Sequence, residues 1–126
     1  TLVECRERAI ELLMSAERVS VLRTLPGVVR AWILENARAV WERDGLRVIG
    51  VTGSTARALR MQDMTAIRTC EITVLLDRLD LGIAKLDDET VVVLDVGNIS
   101  HSLHSRLLAY VDRAGARFVR IEDAHV

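Results

Sequence analysis

The sequence predicts an α/β fold built on a parallel sheet, and two observations lead to it. Four short apolar runs, rich in β-branched residues, recur along the 126 residues: Val19–Leu22, Arg47–Val51, Val91–Leu94 and Arg117–Ile121. Such nearly continuous apolar character is typical of strands that are covered on both faces, as in parallel sheets. Patterns typical of amphipathic helices separate the runs, and this alternation predicts right-handed βαβ crossovers and an open sheet.

The first half of the chain supplies a helix before each of the first two strands and a less regular stretch after them. The opening helix has an apolar face of Ala9, Ile10, Leu12 and Leu13. The helix between the first two strands has a face of Ile33, Ala37, Val40 and Trp41, and Asp44-Gly45 marks the turn that follows it. The residues from Thr52 to Thr65 are predicted to hold one short helix, around Ala56 to Arg60.

The second half of the chain supplies one helix before each of the last two strands. The first of them has an apolar face of Ile72, Leu75, Leu76 and Leu79. The second carries Leu103, Leu107, Tyr110, Val111 and Ala114 on one face, and Gly115 follows it at the turn into the last strand.

Composition limits the classes of function. Half of the residues are hydrophobic, but no apolar run approaches the roughly 20 residues of a membrane span. A formal net charge of -1 gives no overall basic field that would attract nucleic acid. Cys5 and Cys70 lack CxxC spacing, so neither a zinc site nor a redox motif is indicated, and a reduced, cytoplasmic compartment is predicted. We expect one domain over residues 1–126, taken from a longer chain.

The turn after the first strand is where a ligand is expected in an open parallel sheet. A phosphate-binding loop there would read G-x-x-x-x-G-K-[ST], with glycines that let backbone N–H groups wrap phosphate, a lysine for charge and a hydroxyl for magnesium. The strand–turn–helix context fits this motif and the side chains do not. Thr24 stands at the first glycine, Val29 at the second, Arg30 at the lysine and Ala31 at the hydroxyl, with Pro26 and Gly27 inside the turn.

Four further segments, in order, resemble the first, ATP-binding motor lobe of conjugative relaxase-helicases of helicase superfamily one. Residues 47–59 are similar to the second strand and the DNA-contacting motif of that family, and residues 69–80 to its next helix. Residues 86–95 resemble the approach to its magnesium motif, and residues 107–108 with 113–117 resemble the helix and turn before its third motif. The resemblance implies a three-layer, RecA-like lobe of the P-loop NTPase type, with four parallel strands in the order 1-4-3-2.

The resemblance also shows where functional residues are replaced. The family's magnesium motif is Asp-Glu-Ala-Gly; here Asp95 remains, and Val96 takes the catalytic glutamate position. Val126 stands where the family has a phosphate-sensing glutamine, and the adenine-reading glutamine falls near Cys5 and Arg6. Each lost catalytic group costs about 10²–10³ in rate. We therefore expect no enzymatic activity and no cofactor.

The function predicted from these losses is that of a degenerate helicase-like domain that serves as a structural or protein-interaction module. Its expected partners are another protein or other domains of the same chain, with no role for a membrane. The alternative is a nucleic-acid-binding remnant, whose contacts would come from Thr52, Ser54, Thr55, Arg57 and Arg60. A weak nucleotide-binding ATPase lobe is a further alternative.

Two other chemistries have weaker support in the sequence. His101 and His104 lie three residues apart and could share a helical face, but a metal site needs more ligands, and Asp95 is the one obvious acid nearby. A hydrolase triad could be composed of Ser54, His101 and Asp95, but no G-x-S-x-G turn accompanies them.

Overall fold

A computed structural model describes residues 2–13 and 17–124. Within these ranges the helices are α1 Leu2–Leu13, α2 Val28–Arg43, α3 Thr55–Thr65, α4 Ile72–Asp80 and α5 His101–Ala114. The strands are β1 Val19–Thr24, β2 Arg47–Thr52, β3 Arg68–Glu71, β4 Thr90–Asp95 and β5 Arg117–Asp123. No helix in the described ranges is long and apolar enough to cross a membrane.

The strands form one sheet in the order β1-β5-β4-β2-β3, and every neighbouring pair is parallel. The α/β class and the parallel sheet predicted from the sequence are confirmed. The four predicted strands, now β1, β2, β4 and β5, lie in the predicted relative order. The predicted count of four is wrong, because β3 extends the sheet beyond β2.

The fifth strand was missed because it lies at the edge of the sheet. Edge strands need no apolar cover on both faces, and the residues of β3 are exposed or half-buried rather than fully buried. The resemblance implied a helix over residues 69–80, and this is wrong for its first three residues, which belong to β3. Thr69 faces Gly50 of β2, where an added Cβ would lie 2.4 Å from the Thr69 hydroxyl oxygen, so Gly50 allows β3 to approach.

Two buried clusters hold the layers together, one on each face of the sheet. The first packs α1 and α2 against the sheet and includes Leu34, Trp41 and Val91. The second packs α4 and α5 against the other face and includes Leu76, Leu107 and Phe118. This gives the three-layer arrangement that the resemblance implies. The predicted short helix is present as α3 and extends to Thr65, after which Ala66 takes a left-handed conformation.

Because every strand is parallel, the carboxyl ends of β1, β2, β4 and β5 meet at one edge of the sheet. Thr24, Thr52, Asp95 and Asp123 are the last residues of these strands. This edge therefore collects the residues that the sequence analysis singled out, and it is where an open α/β sheet places its ligand site.

Candidate functional site

The loop between β1 and α2 is short, since Leu25, Pro26 and Gly27 alone separate the two elements. Gly27 precedes the helix with φ 124 and ψ -150, a conformation that L side chains rarely adopt. The helix thus begins at Val28, before the position of the second loop glycine. Val29, which takes that position, is half-buried and packs against the first core cluster. Its side chain therefore contributes to core packing.

Arg30 turns back over the end of β1 and is held by groups from two strands. Its Nε donates to the Thr24 hydroxyl at 3.0 Å, and Nη2 donates to the Thr24 carbonyl. Nη2 also donates to the Glu122 carbonyl at 3.3 Å and to the Asp123 carboxylate at 2.8 Å. The Arg30 side chain is 12% exposed and that of Asp123 is 69% exposed. The cation of the loop is therefore paired inside the protein, next to a carboxylate.

Asp95, at the end of β4, also has partners within the chain. Its Oδ1 accepts the Gly97 N–H at 3.1 Å, and its Oδ2 lies 3.7 Å from Nη1 of Arg57. Val96, at the position of the catalytic glutamate, is half-buried and packs against the second core cluster. One acidic position is thus filled by an apolar side chain, and the remaining carboxylate faces an arginine.

Two glycines bring the turn after β2 close to the loop after β4. A Cβ on Gly53 would lie 2.6 Å from the Gly97 carbonyl oxygen and 2.9 Å from that of Asn98. A Cβ on Gly97 would lie 2.0 Å from Nη1 of Arg57. Backbone therefore lies against backbone here, and the Arg57 guanidinium lies directly over Gly97.

The residues proposed as nucleic-acid contacts have different environments. Thr52 is fully buried, and its hydroxyl donates to the Ser54 carbonyl at 2.8 Å, so its side chain does not reach the surface. The Ser54 hydroxyl caps α3 by accepting the Arg57 N–H at 3.2 Å. Thr55 and Arg60 are exposed, and Arg60 makes no ion pair with any described residue. Of the residues proposed as contacts, Thr55, Arg57 and Arg60 therefore have side chains that reach the surface of α3.

A cavity of about 240 Å³ lies between α2, α3 and the ends of β4 and β5. Its lining includes the charged groups Arg30, Arg57, Arg60, Asp95 and Asp123. It also includes the apolar side chains Leu34, Met61, Met64 and Ile121. Ala31 lines the cavity at the hydroxyl position of the phosphate motif without offering an oxygen.

Further arginine–carboxylate pairs surround the end of β5. Glu122 accepts from Arg23 at 2.9 Å and from Arg120 at 2.8 Å. The hydrogen bond from Arg23 and the positive charge of Arg120 hold the pKa of the Glu122 carboxyl below its usual range. The carboxylates of Asp95, Glu122 and Asp123 at this edge are therefore each matched to an arginine of the same chain.

The weaker alternatives from the sequence gain no support in the described part of the chain. No group of three or more His, Cys, Asp or Glu side chains is placed there to hold a metal ion. His104 packs edge-on against Phe118, with ring centroids 6.0 Å apart. Its pKa is lowered mainly by burial and further by the positive charge of Arg120. Cys5 and Arg6 belong to α1, but their side chains and Val126 lie outside the described residues.

Several residues of this site were missed in the sequence. Asp123 was not identified as the partner of Arg30, although the β1–β5 register pairs Thr24 with Asp123. The predicted neighbourhood of the first and last strands could have suggested that pairing. No local signal marks the Arg57–Asp95 pair or the close approach of Gly53 to Gly97, since each joins segments far apart in the chain.

Comparison with known proteins decides the family. The sequence profile of the AAA domain family matches residues 3–125. The chain belongs to the AAA domain family. The resemblance to the ATP-binding lobe of conjugative relaxase-helicases, predicted from the order of the motifs, is confirmed.

Two curated relatives of this AAA domain chain are conjugal transfer proteins. The chain is 31% identical over 121 residues, 94% of its length, to a probable conjugal transfer protein TraA of Sinorhizobium fredii. It is 29% identical over 125 residues, 97% of its length, to the conjugal transfer protein TraA of Agrobacterium fabrum. The matched region covers 11% of each relative.

Proposed function

We propose that this AAA domain is non-catalytic, that it neither binds ATP tightly nor hydrolyses it, and that it serves as a structural or protein-interaction module. Its setting would be a DNA-processing protein of the relaxase-helicase kind, in the cytoplasm, since the relatives are named for conjugal transfer. The observation that carries the proposal is the internal pairing of Arg30 with Asp123 and the Thr24 and Glu122 carbonyls.

The loop supports this proposal because the charge of its arginine is already paired within the chain. A phosphate loop needs a cation that is free to meet the phosphates, and here the arginine at that position already has a carboxylate and backbone oxygens. A triphosphate would have to displace Asp123 or lie beside it, and either arrangement costs electrostatic free energy. Arginine also lacks the compact ammonium shape of the lysine it replaces. The residues present do not fit a triphosphate.

The residues around Asp95 support the proposal because they lack the groups that would bind magnesium and position water. Ala31 offers no hydroxyl to a metal ion, and Val96 offers no carboxylate to position water. Asp95 accepts a backbone N–H and faces Arg57, so a cation already balances its charge. The site therefore does not fit a magnesium ion either.

A phosphate-release assay tests for turnover. We expect the rate with magnesium-ATP to equal that of a no-protein blank, both with and without single-stranded DNA. The Asp95→Asn variant is the matched control, since a trace activity from a contaminating enzyme would not change with it. Phosphate release above the blank that disappears in Asp95→Asn would refute the proposal.

A nucleic-acid-binding remnant is the second candidate, and the surface at the start of α3 favours it. Arg57 and Arg60 both line the cavity, and Arg60 has no ion pair with a described residue. Phosphate contacts from such arginines would position a strand without reading its sequence.

Salt dependence distinguishes this candidate from an arginine-rich surface without a ligand. If the remnant binds single-stranded DNA, fluorescence anisotropy should show affinity that falls steeply with salt. Each phosphate contact contributes a slope of about 0.7 in log K against log salt. The double variant Arg57→Ala/Arg60→Ala should then lower the slope by about 1.4.

The control for this test is Arg43→Ala/Arg117→Ala, which removes two arginines from the opposite edge of the sheet. Equal loss of affinity in both double variants would indicate unspecific attraction. No binding at low salt would eliminate the candidate for this chain.

A further inference from the structure

A second concave surface lies at the opposite edge of the sheet from the cavity described above. It is formed by the end of α4, by the segment from Gly82 to Leu86 that leads towards β4, and by the last turns of α5. Its volume is about 360 Å³. We call it the α4–α5 groove, and its lining residues are Leu79, Gly82, Ala84, Lys85, Leu86, Tyr110, Arg113 and Ala114.

Two exposed aliphatic residues flank Gly82, which lines the groove. Leu81 is 74% exposed and Ile83 is 73% exposed, on either side of Gly82. The turn that presents them is fixed by backbone hydrogen bonds, since Ile83 N–H donates to the Arg78 carbonyl at 2.9 Å and Gly82 N–H to that of Leu79 at 3.1 Å. Exposed aliphatic side chains on a hydrogen-bonded turn next to apolar lining residues are typical of a protein-binding surface.

The residues that line the groove include two cations and no acid. Lys85 and Arg113 both line it, and neither makes an ion pair with a described residue. Two acids lie near the lining: Asp80, at the end of α4, is already bound by Arg106 at 2.8 Å and by the Tyr110 hydroxyl, and Asp88 lies beside Gly115. The guanidinium of Arg113 lies over the Tyr110 ring, 5.3 Å from its centroid, which fixes the direction of that charge.

We propose that the α4–α5 groove docks an acidic, aliphatic segment of a partner protein. One or two aliphatic side chains of the segment would pack against Leu81, Ile83 and Ala84. A carboxylate next to them on the segment would bind Lys85 and Arg113. The proposal rests on the protein-interaction role proposed above and names the surface and the chemistry of the partner.

Protein is favoured over nucleic acid as the occupant because of Leu81 and Ile83. Phosphate binding requires cations, but it gives no reason to expose two aliphatic side chains on a rigid turn. An acidic aliphatic segment uses both features, since it buries the apolar groups and pairs the two cations.

The test uses two labelled synthetic amphipathic peptides with the same leucine positions, one with glutamates and one with lysines on the flanking positions. In fluorescence anisotropy the glutamate peptide should bind at least about tenfold more tightly, a difference of about 1.4 kcal/mol. The Leu81→Ser/Ile83→Ser variant should weaken its binding. The Lys85→Glu/Arg113→Glu variant should reverse the preference towards the lysine peptide.

Matched controls are Val74→Ser, which alters an exposed apolar residue elsewhere on α4, and Arg43→Glu, which alters a cation at the end of α2. Both should bind like the unmodified chain, and circular dichroism should show that every variant is folded.

Equal affinity for the two peptides, no binding of the glutamate peptide, or an unreversed preference in Lys85→Glu/Arg113→Glu would overturn the proposal. So would a dimer in sedimentation that requires Leu81, or an oligonucleotide that binds through Lys85 and Arg113. None of these results bears on ATP binding, so the proposed lack of catalysis is tested separately.

Discussion

Replacing Arg30 with methionine is expected to lower the free energy of unfolding by about 2 kcal/mol, since hydrogen bonds to charged groups contribute about 1.5–3 kcal/mol. The substitution keeps the apolar stem and removes the guanidinium, so the Thr24 and Glu122 carbonyls lose a donor that joins β1 to β5. Urea unfolding followed by circular dichroism gives the value, provided that the slope with urea is unchanged.

Two controls separate the role of Arg30 from that of its exposed partner. Asp123→Asn should cost less than about 1 kcal/mol, because an ion pair open to water contributes little. Arg60→Met should leave the stability unchanged, because Arg60 has no ion pair with a described residue. Unchanged or raised stability in Arg30→Met would mean that this arginine does not join the strands and is free for a ligand.

Replacing Gly53 with alanine is expected to lower the free energy of unfolding by about 1–3 kcal/mol, the usual cost of overpacking. The added Cβ would meet the backbone carbonyls of Gly97 and Asn98 at 2.6 and 2.9 Å. Backbone groups cannot rotate away, so the turn after β2 would have to separate from the loop after β4. Thermal or urea unfolding of the variant measures the effect.

Gly97→Ala is the informative comparison for this variant. Its Cβ would also meet an atom too closely, but that atom is the end of the Arg57 side chain, which can move. We therefore expect a smaller loss of stability and a break of the contact between Arg57 and Asp95. A Gly53→Ala protein as stable as the unmodified chain would contradict the described approach of the two loops.

The sheet could be predicted from the sequence wherever its strands are covered on both faces. Between its end residues Thr90 and Asp95, β4 has four consecutive residues that are fully buried, namely Val91, Val92, Val93 and Leu94. Such a run marks a central parallel strand. β3 could not be predicted in the same way, because an edge strand has less apolar cover. Its residues Arg68 and Glu71 carry no pattern that distinguishes a strand from the start of a helix.

The candidate site could be predicted in its positions but not in its contacts. The order of the motifs indicated Arg30 and Asp95 as the remaining charged residues, and both lie at the predicted edge of the sheet. Their partners Asp123 and Arg57 are distant in sequence, and their pairing depends on the three-dimensional positions of strand ends and loops. The burial of Thr52 likewise follows from packing around it and from no local pattern.

The loop after β1 is expected not to bind ATP. A binding measurement tests this more directly than turnover, because turnover can be lost for reasons remote from the loop. The measurement is a calorimetric titration of magnesium-ATP into the chain, with Trp32 emission followed in parallel. The variant Thr24→Gly/Val29→Gly/Arg30→Lys/Ala31→Thr, which rebuilds the phosphate motif, serves as the comparison.

We predict no saturable heat and no saturable change of emission for the unmodified chain in the micromolar range, and tighter binding in the rebuilt variant than in the unmodified chain. Saturable, magnesium-dependent binding by the unmodified chain that is lost in Arg30→Ala would contradict the account, because Arg30 would then hold phosphate instead of joining β1 to β5.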